Sequence, residues 1–328
     1  MSKENLLTNH ISRKVEINGI SIPGIIYNYN YHIVDLKIYE DGLIDCWEFV
    51  DLPLLREKIS KNWIMSSIPD NSDISVFGLG GWKINNGKWL YNKEQLYNEL
   101  ESYVRQLNPN MINLFDMQGT NTVERNGVRT TKVQGFNKKP FYYSDQHPVF
   151  PTRTYGIDQN IFYQHDESIY LTKLAVFPDG QVILRNIPEE VVFDFSELDQ
   201  QFDIDRIITN PPLGKRIQIY GIGSFDLLSG MGVDPKNKLT ELKDAFAELQ
   251  GKETTSKKCL RLWDEYRESP SEQKKESLRI AYEAVPSHIR MFLGDQDSKD
   301  FPIRYDIYGD IVKEEWENRY GFPMPNFD

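Results

Sequence analysis

The sequence predicts an α+β protein: a tandem duplication of a small, mainly antiparallel sheet-plus-helix domain, followed by a smaller helical C-terminal region. Three observations predict it. Residues 64–82, IMSSIPDNSDISVFGLGGW, return at 207–225 as IITNPPLGKRIQIYGIGSF, at a constant offset of 143. Each occurrence is preceded by strand-like segments and followed by an amphipathic run. Beyond residue 250 the apolar spacing becomes helical.

The repeat carries identities at Ile64/Ile207, Pro69/Pro212, Ile74/Ile217, Gly78/Gly221 and Gly80/Gly223. Upstream, Leu36–Gly42 faces Leu174–Gly180 at an offset of 138, and Asp51 faces Asp194, so a short insertion lies between them. Arg13, Ile17 and Asn18 are set against Arg153, Ile157 and Asp158. Downstream, Leu96 faces Leu239 and Tyr103 faces Phe246. Each copy spans roughly 100 residues, the size of a small domain and too long for a solenoid unit. The expected division is copy 1 over residues 1–107, a polar linker or β-arm over 108–152, copy 2 over 153–250, and a helical and irregular region over 251–328.

Within copy 1, Asn18-Gly19 and Asp41-Gly42 each read as hairpin turns between strand-like segments. Asp179-Gly180 repeats the second one, which makes Asp41 and Asp179 turn residues of a type I′ turn. Leu54–Ser60 reads as a helix capped by Asp51, with Asp194 or Ser196 capping its counterpart. Trp63–Ser66 and Ile74–Phe77 read as strands. Lys93–Leu107 is amphipathic, with Leu239, Leu242, Phe246 and Leu249 marking its match. Each copy is therefore roughly β-β-β-β-α-β-β-α. Asn126-Gly127 marks a hairpin in the arm. Leu260, Trp263 and Tyr266, then Leu278, Ala281 and Tyr282, mark two helices broken at Ser269-Pro270, and Val312–Tyr320 marks one more.

A net charge of −11 disfavours binding to a phosphate backbone and suits a basic partner. No run approaches the length of a membrane span, and the N-terminus lacks an apolar signal core. Two distant cysteines, Cys46 and Cys259, make neither a zinc set nor a disulfide framework, which suits the cytoplasm. Cys46 faces Leu184, which argues for burial. The five histidines form no metal-binding spacing; Asp145-Gln146-His147 and His165-Asp166-Glu167 come nearest. No cofactor is expected. Gly78-Leu79-Gly80-Gly81 lacks the third glycine and the following helix of a dinucleotide loop. It reads instead as a strand end where a side chain would clash with its neighbour.

Two places remain as candidate sites. Residues 290–306 concentrate Arg290, Asp295, Asp297, Lys299, Asp300 and Arg304 between apolar flanks. They form a paired-charge structural knot, a partner-binding patch, or a catalytic or metal site. Trp82 and Trp89, around a polar Asn85-Asn86-Gly87 turn, are either core or interface aromatics. The functional expectation is a non-enzymatic protein-binding module, of the immunity or inhibitor type found in bacteria, that masks a partner. The alternative is a hydrolase-like enzyme with a polar site between the repeats and the C-terminal region.

Overall fold

The computed structural model describes residues 10–13, 17–112, 114–117, 121–125, 128–132 and 156–325. The Asp145-Gln146-His147 candidate lies outside them. In copy 1, β1 (His10–Arg13) pairs with β2 (Ile17–Asn28), which forms a long hairpin with β3 (Asn30–Tyr39). Next come β4 (Ile44–Asp45), β5 (Phe49–Val50), α1 (Leu52–Ser60), β6 (Ile64–Met65), β7 (Asp73–Val76), β8 (Gly80–Trp89) and α2 (Lys93–Leu107). The strands β9 (Asn121–Arg125) and β10 (Val128–Lys132) pair on either side of Asn126-Gly127. Copy 2 holds β11 (Ile157–His165), β12 (Ser168–Val176), β13 (Gln181–Arg185), β14 (Val191–Asp194), α3 (Leu198–Asp203), β15 (Ile207–Ile208), β16 (Arg216–Ile219), β17 (Gly223–Gly232) and α4 (Pro235–Leu249). The C-terminal region is α5 (Thr255–Glu268), α6 (Glu272–Ala284), a 3-10 turn at Arg290–Phe292, α7 (Phe301–Tyr308) and α8 (Asp310–Tyr320).

The two copies share one curled sheet. Its order is β1-β2-β3-β7-β8-β17-β16-β12-β11-β15, so β8 and β17 join the copies edge to edge. Read outward from that seam, β8-β7-β3-β2-β6 matches β17-β16-β12-β11-β15, and β1 adds a further strand on β2. β3 runs parallel to β7, and β12 runs parallel to β16; the hairpins β2–β3 and β11–β12 are antiparallel. Along the seam Gly80 pairs with Gly232 and Gly223 with Trp89. At the offset of 143 these two pairs map onto each other, so a pseudo-two-fold axis passes through the β8–β17 ladder.

Sequence reading ends a strand at Gly78-x-Gly80 and makes Asn85-Asn86-Gly87 a turn. Instead Gly78 and Gly221 take positive φ in a tight turn, and Gly80 and Gly223 open the next strand. Asn86, at φ 54, sits within β8 where the register to β17 shifts, and its side-chain amide donates to Asp226 at 2.8 Å. The steric role of the second glycine does hold. A Cβ on Gly80 would meet the Met231 carbonyl at 2.5 Å, and one on Gly223 would meet that of Lys88 at 2.2 Å.

Other turns also differ in detail. Gly19 lies inside β2, paired with Ile11 and Tyr39, so Asn18-Gly19 makes no hairpin. Gly42 and Gly180 take positive φ, but Asp41 and Asp179 do not. The turn is therefore three residues with glycine in the left-handed position, and not type I′. Asp41 and Asp179 accept from the backbone two residues on, at 3.3 and 3.1 Å, as turn residues do. The strand pairs Ile25↔Met65 and Phe162↔Ile208 set β2 against β11 at an offset of 137, which replaces the alignment of Ile17 with Ile157. The caps Asn92 and Asp234 set α2 against α4 at 142, so Leu96 matches Lys238 and Tyr103 matches Ala245.

Both faces of the sheet are covered, which is why its strands carry apolar residues on both sides. The inner face of the curl holds a core shared by the copies, including Ile33, Ile74, Trp82, Phe162, Leu171, Ile217 and Phe225. The outer faces pack on helices. Leu36, Ile38, Cys46, Leu55 and Leu100 form one such core, and Leu174, Leu184, Leu198 and Leu242 the other. Asp51 caps α1 by accepting from Leu54 at 2.9 Å, and Asp194 caps the 3-10 turn before α3 through Ser196 at 2.9 Å. The C-terminal helices enclose their own core of Cys259, Leu278, Tyr282, Leu293 and Ile303.

Candidate functional site

The charge cluster at 290–306 spends its groups internally. Arg290 donates to the carbonyls of Val285 and Glu283 at 3.0 and 2.8 Å, closing the C-terminus of α6. Asp295 accepts from the amides of Asp297 and Ser298, at 3.0 and 2.6 Å, in a local turn. Lys299 takes φ 52 in that turn, and its backbone passes so close to Gly294 that no Cβ fits there. Asp300 accepts from the Tyr282 hydroxyl at 2.6 Å, and Arg304 forks onto Glu315. Asp297 lies on the exposed side. The side chains of Arg290, Asp295, Asp300 and Arg304 thus make their contacts within the C-terminal region. Among the described residues no group of carboxylates, thiols or imidazoles could hold a metal ion.

Trp82 is not a surface residue. It is 3 % exposed and packs edge-on against Phe162 at 5.2 Å, because its strand faces the shared core. Trp89 stacks on Phe225 at 6.2 Å and donates its indole N–H to the Ile68 carbonyl at 3.2 Å. Trp82 is a core residue, and the half-buried Trp89 braces the seam.

The pseudo-symmetry instead directs attention to two matching grooves. In each, the helix after the seam strand of one copy faces the tight turn of the other. The backbone links are equivalent: Leu90 donates to the Ile222 carbonyl at 2.9 Å, and Val233 to that of Leu79 at 2.7 Å. Each groove also carries one glutamate, seven residues after its helix cap: Glu99 on α2 and Glu241 on α4.

The groove at Glu241 is filled. Lys238, with a side chain 1 % exposed, donates to Glu241 at 2.9 Å and to the Gly78 carbonyl of copy 1 at 3.0 Å. The His288 ring nitrogen Nε2 meets the same Glu241 oxygen at 2.9 Å. Phe292 packs on Phe77 at 6.4 Å, and Asn237 donates to the Ser287 hydroxyl at 2.9 Å. The segment 287–292 thus lies over this groove. Burial alone would raise the Glu241 carboxyl, but the His288 hydrogen bond and the Lys238 charge outweigh it and hold it below the usual range. Burial pushes the Lys238 ammonium down, with Glu241 opposing.

Among the described residues the groove at Glu99 is open. It is a cavity of about 330 Å³ walled by both copies. Leu90, Tyr91, Leu96, Glu99 and Tyr103 come from copy 1, and Asn186, Tyr220 and Ile222 from copy 2. Burial and the Glu99 carboxylate push the hydroxyls of Tyr91 and Tyr103 up, so both stay protonated as donors. Leu90 and Tyr220, 60 % and 41 % exposed, form the mouth. Nothing in the sequence marks this site, since its glutamate has no motif and its match to Glu241 is masked by a one-residue slip.

The fold and its cleft define a two-part, mixed α/β repeat protein with a C-terminal helical domain. Two family profiles match it, each described as a domain of unknown function: DUF7638 over residues 7–111 and 144–253, and DUF7639 over 254–319. The first covers well over half of the chain, which belongs to that family. No curated protein and no solved structure matches the chain. Among the described residues no helix is long and apolar enough to cross a membrane.

Proposed function

We propose that this protein is a non-enzymatic binding module that masks a protein partner, of the general kind represented by immunity and inhibitor proteins, and that it engages the partner through the open cleft. The observation that carries this reading is the cleft itself: a cavity of about 330 Å³ between the repeats, with an exposed tyrosine and leucine at its mouth and one carboxylate inside. Its size is at the lower limit of ligand pockets, about right for one anchoring side chain. Tyrosine-lined pockets of this kind concentrate binding energy at interfaces. The net charge of −11 favours encounter with a basic surface.

The enzyme reading would centre on Lys238, Glu241 and His288, where the repeats meet the C-terminal region. There the ammonium is spent on Gly78 and Glu241, in a side chain 1 % exposed. This arrangement supports the binding reading. A photo-crosslinking residue at Leu90, with Ile280 on α6 as the control site, tests it. The expected result is one protein captured from native lysate at Leu90 alone. That protein, once purified, binds one-to-one and loses binding to Leu90→Asp. Equal labelling from both sites, or no loss with Leu90→Asp, would overturn the reading.

A further inference from the structure

We propose that the open cleft receives a lysine or arginine side chain of the partner, its cationic head against Glu99 and its aliphatic stem along Leu96 and the tyrosines. This rests on the protein-binding reading above and adds to it the chemistry of the anchor.

The argument comes from the filled groove. Glu99 and Glu241 occupy the same position, seven residues after the caps Asn92 and Asp234, and each faces the tight turn of the other repeat. In the filled groove the carboxylate is met by an ammonium from the fourth position after the cap, Lys238, and by the imidazole of His288. The molecule thus contains its own example of what this groove holds. In the open groove the fourth position is Leu96, and among the described residues no part of the C-terminal region lines it. Among the described residues no lysine, arginine or histidine forms an ion pair with Glu99.

The Glu99 carboxylate is met by the hydroxyls of Tyr91 and Tyr103, and an incoming cation would add the charge partner that Lys238 gives Glu241. The surroundings suit an amphipathic side chain. Leu96 and Leu100 offer an apolar wall for methylenes, and Tyr91 and Tyr220 offer ring faces. An acidic anchor would be repelled by Glu99, and a wholly apolar one would desolvate it with no opposite charge to offset the cost.

The test uses the full chain and four blocked tripeptides, acetyl-Gly-X-Gly-amide, with X as lysine, arginine, norleucine or glutamate, and putrescine as a free diamine. Binding is read by titration calorimetry and by the amide signals of Leu90 and Ile222. The lysine and arginine peptides are expected to bind about tenfold or more tightly than the norleucine peptide, as a charge-assisted contact implies, and the glutamate peptide least. Glu99→Gln should remove that preference. Leu96→Lys, which places an ammonium where the filled groove has one, should block the basic peptides while the fold survives. Equal binding of norleucine and lysine peptides to the unmodified chain overturns the proposal, even if Glu99→Gln fails to fold. Undiminished binding to a folded Glu99→Gln overturns it too, as does putrescine binding more tightly than both basic peptides. Because no lysate partner is involved, failure here leaves the crosslinking result at Leu90 standing, and the reverse also holds.

Discussion

Asp35 and Lys173 occupy the same position in the two repeats and form an ion pair with each other at 3.1 Å. The equivalence follows from the parallel ladders, where Tyr31 pairs with Ile74 and Ile169 with Ile217. A residue that meets its own symmetry mate lies beside the pseudo-two-fold axis. In two identical copies this position would set like charges together. Having both repeats in one chain permits opposite ones. Asp158 is 3.9 Å from the same ammonium and 3.8 Å from Arg185, which extends the network along β11 to β13.

The pair is predicted to be asymmetric in energy. Burial raises the Asp35 carboxyl despite Lys173, so its charged form is held at a cost. Asp35→Asn relieves that cost and leaves Lys173 with Asp158; a loss under about 1 kcal/mol is expected. Lys173→Met strands Asp35 and should cost about 3 kcal/mol. Urea unfolding of both single variants and the double variant measures this. Equal losses in the two single variants would contradict it.

The seam glycines should be far less tolerant than the turn glycines beside them. Gly80→Ala and Gly223→Ala each push a methyl group into the opposing backbone and should lower stability by about 3 kcal/mol or more. Gly221, at φ 77, has open space around its Cβ position, so Gly221→Ala should cost only the backbone strain of about 1 kcal/mol. Thermal unfolding of the three variants gives the ranking, and a Gly221→Ala as damaging as Gly80→Ala would refute it.

Acid should weaken the filled groove. The folded Glu241 carboxyl lies below its unfolded value of 4.5. Its contribution is therefore fully present above about pH 4.5 and is lost as the pH falls through the lower folded value. Glu241→Gln should flatten the stability profile in that acid range. Native-state hydrogen exchange should show 287–292 loosening first as the pH drops. Unchanged acid dependence in Glu241→Gln would remove Glu241 from the explanation.

Both thiols should be inert in the folded protein. Cys46 and Cys259 are fully buried, and burial pushes them up to about 12 and about 11. Their reaction with a disulfide reagent at pH 8 should proceed only as fast as the protein opens. Fast labelling in native buffer, with no change in circular dichroism, would contradict the burial.

The duplication and most helix limits were legible because they rest on local chemistry. Asp51 before Leu52-Pro53 and Ser271 before Glu272 act as caps within three residues of themselves. The seam strands were not legible. β8 reads GGWKINNGKW, with three glycines and an asparagine pair that taken alone favour a turn. Its first four residues pair with β7, but its full length is a strand through β17, more than a hundred residues away, with Gly80 and Gly230 admitting close backbone approach. The open cleft was hidden for a similar reason. Glu99 gains its setting from Tyr220 and Ile222 of the other copy, and only the caps reveal that it matches Glu241. The charges of 290–306 stand out by density, but their partners Tyr282 and Glu315 lie outside any local motif and come from the fold.

The β8–β17 ladder has a consequence during synthesis. A ribosome that has released residue 107 has delivered a nearly complete first repeat whose ten-residue strand β8 has β7 on one side and still lacks β17 on the other. That edge waits until Gly232 emerges, and meanwhile the most similar available strand is the β8 of another nascent chain on the same message. The long stretch between the mates makes intramolecular closure slow, since loop closure precedes any gain from pairing. Crowded translation should therefore favour a swapped or aggregated product, and slow initiation a monomeric one.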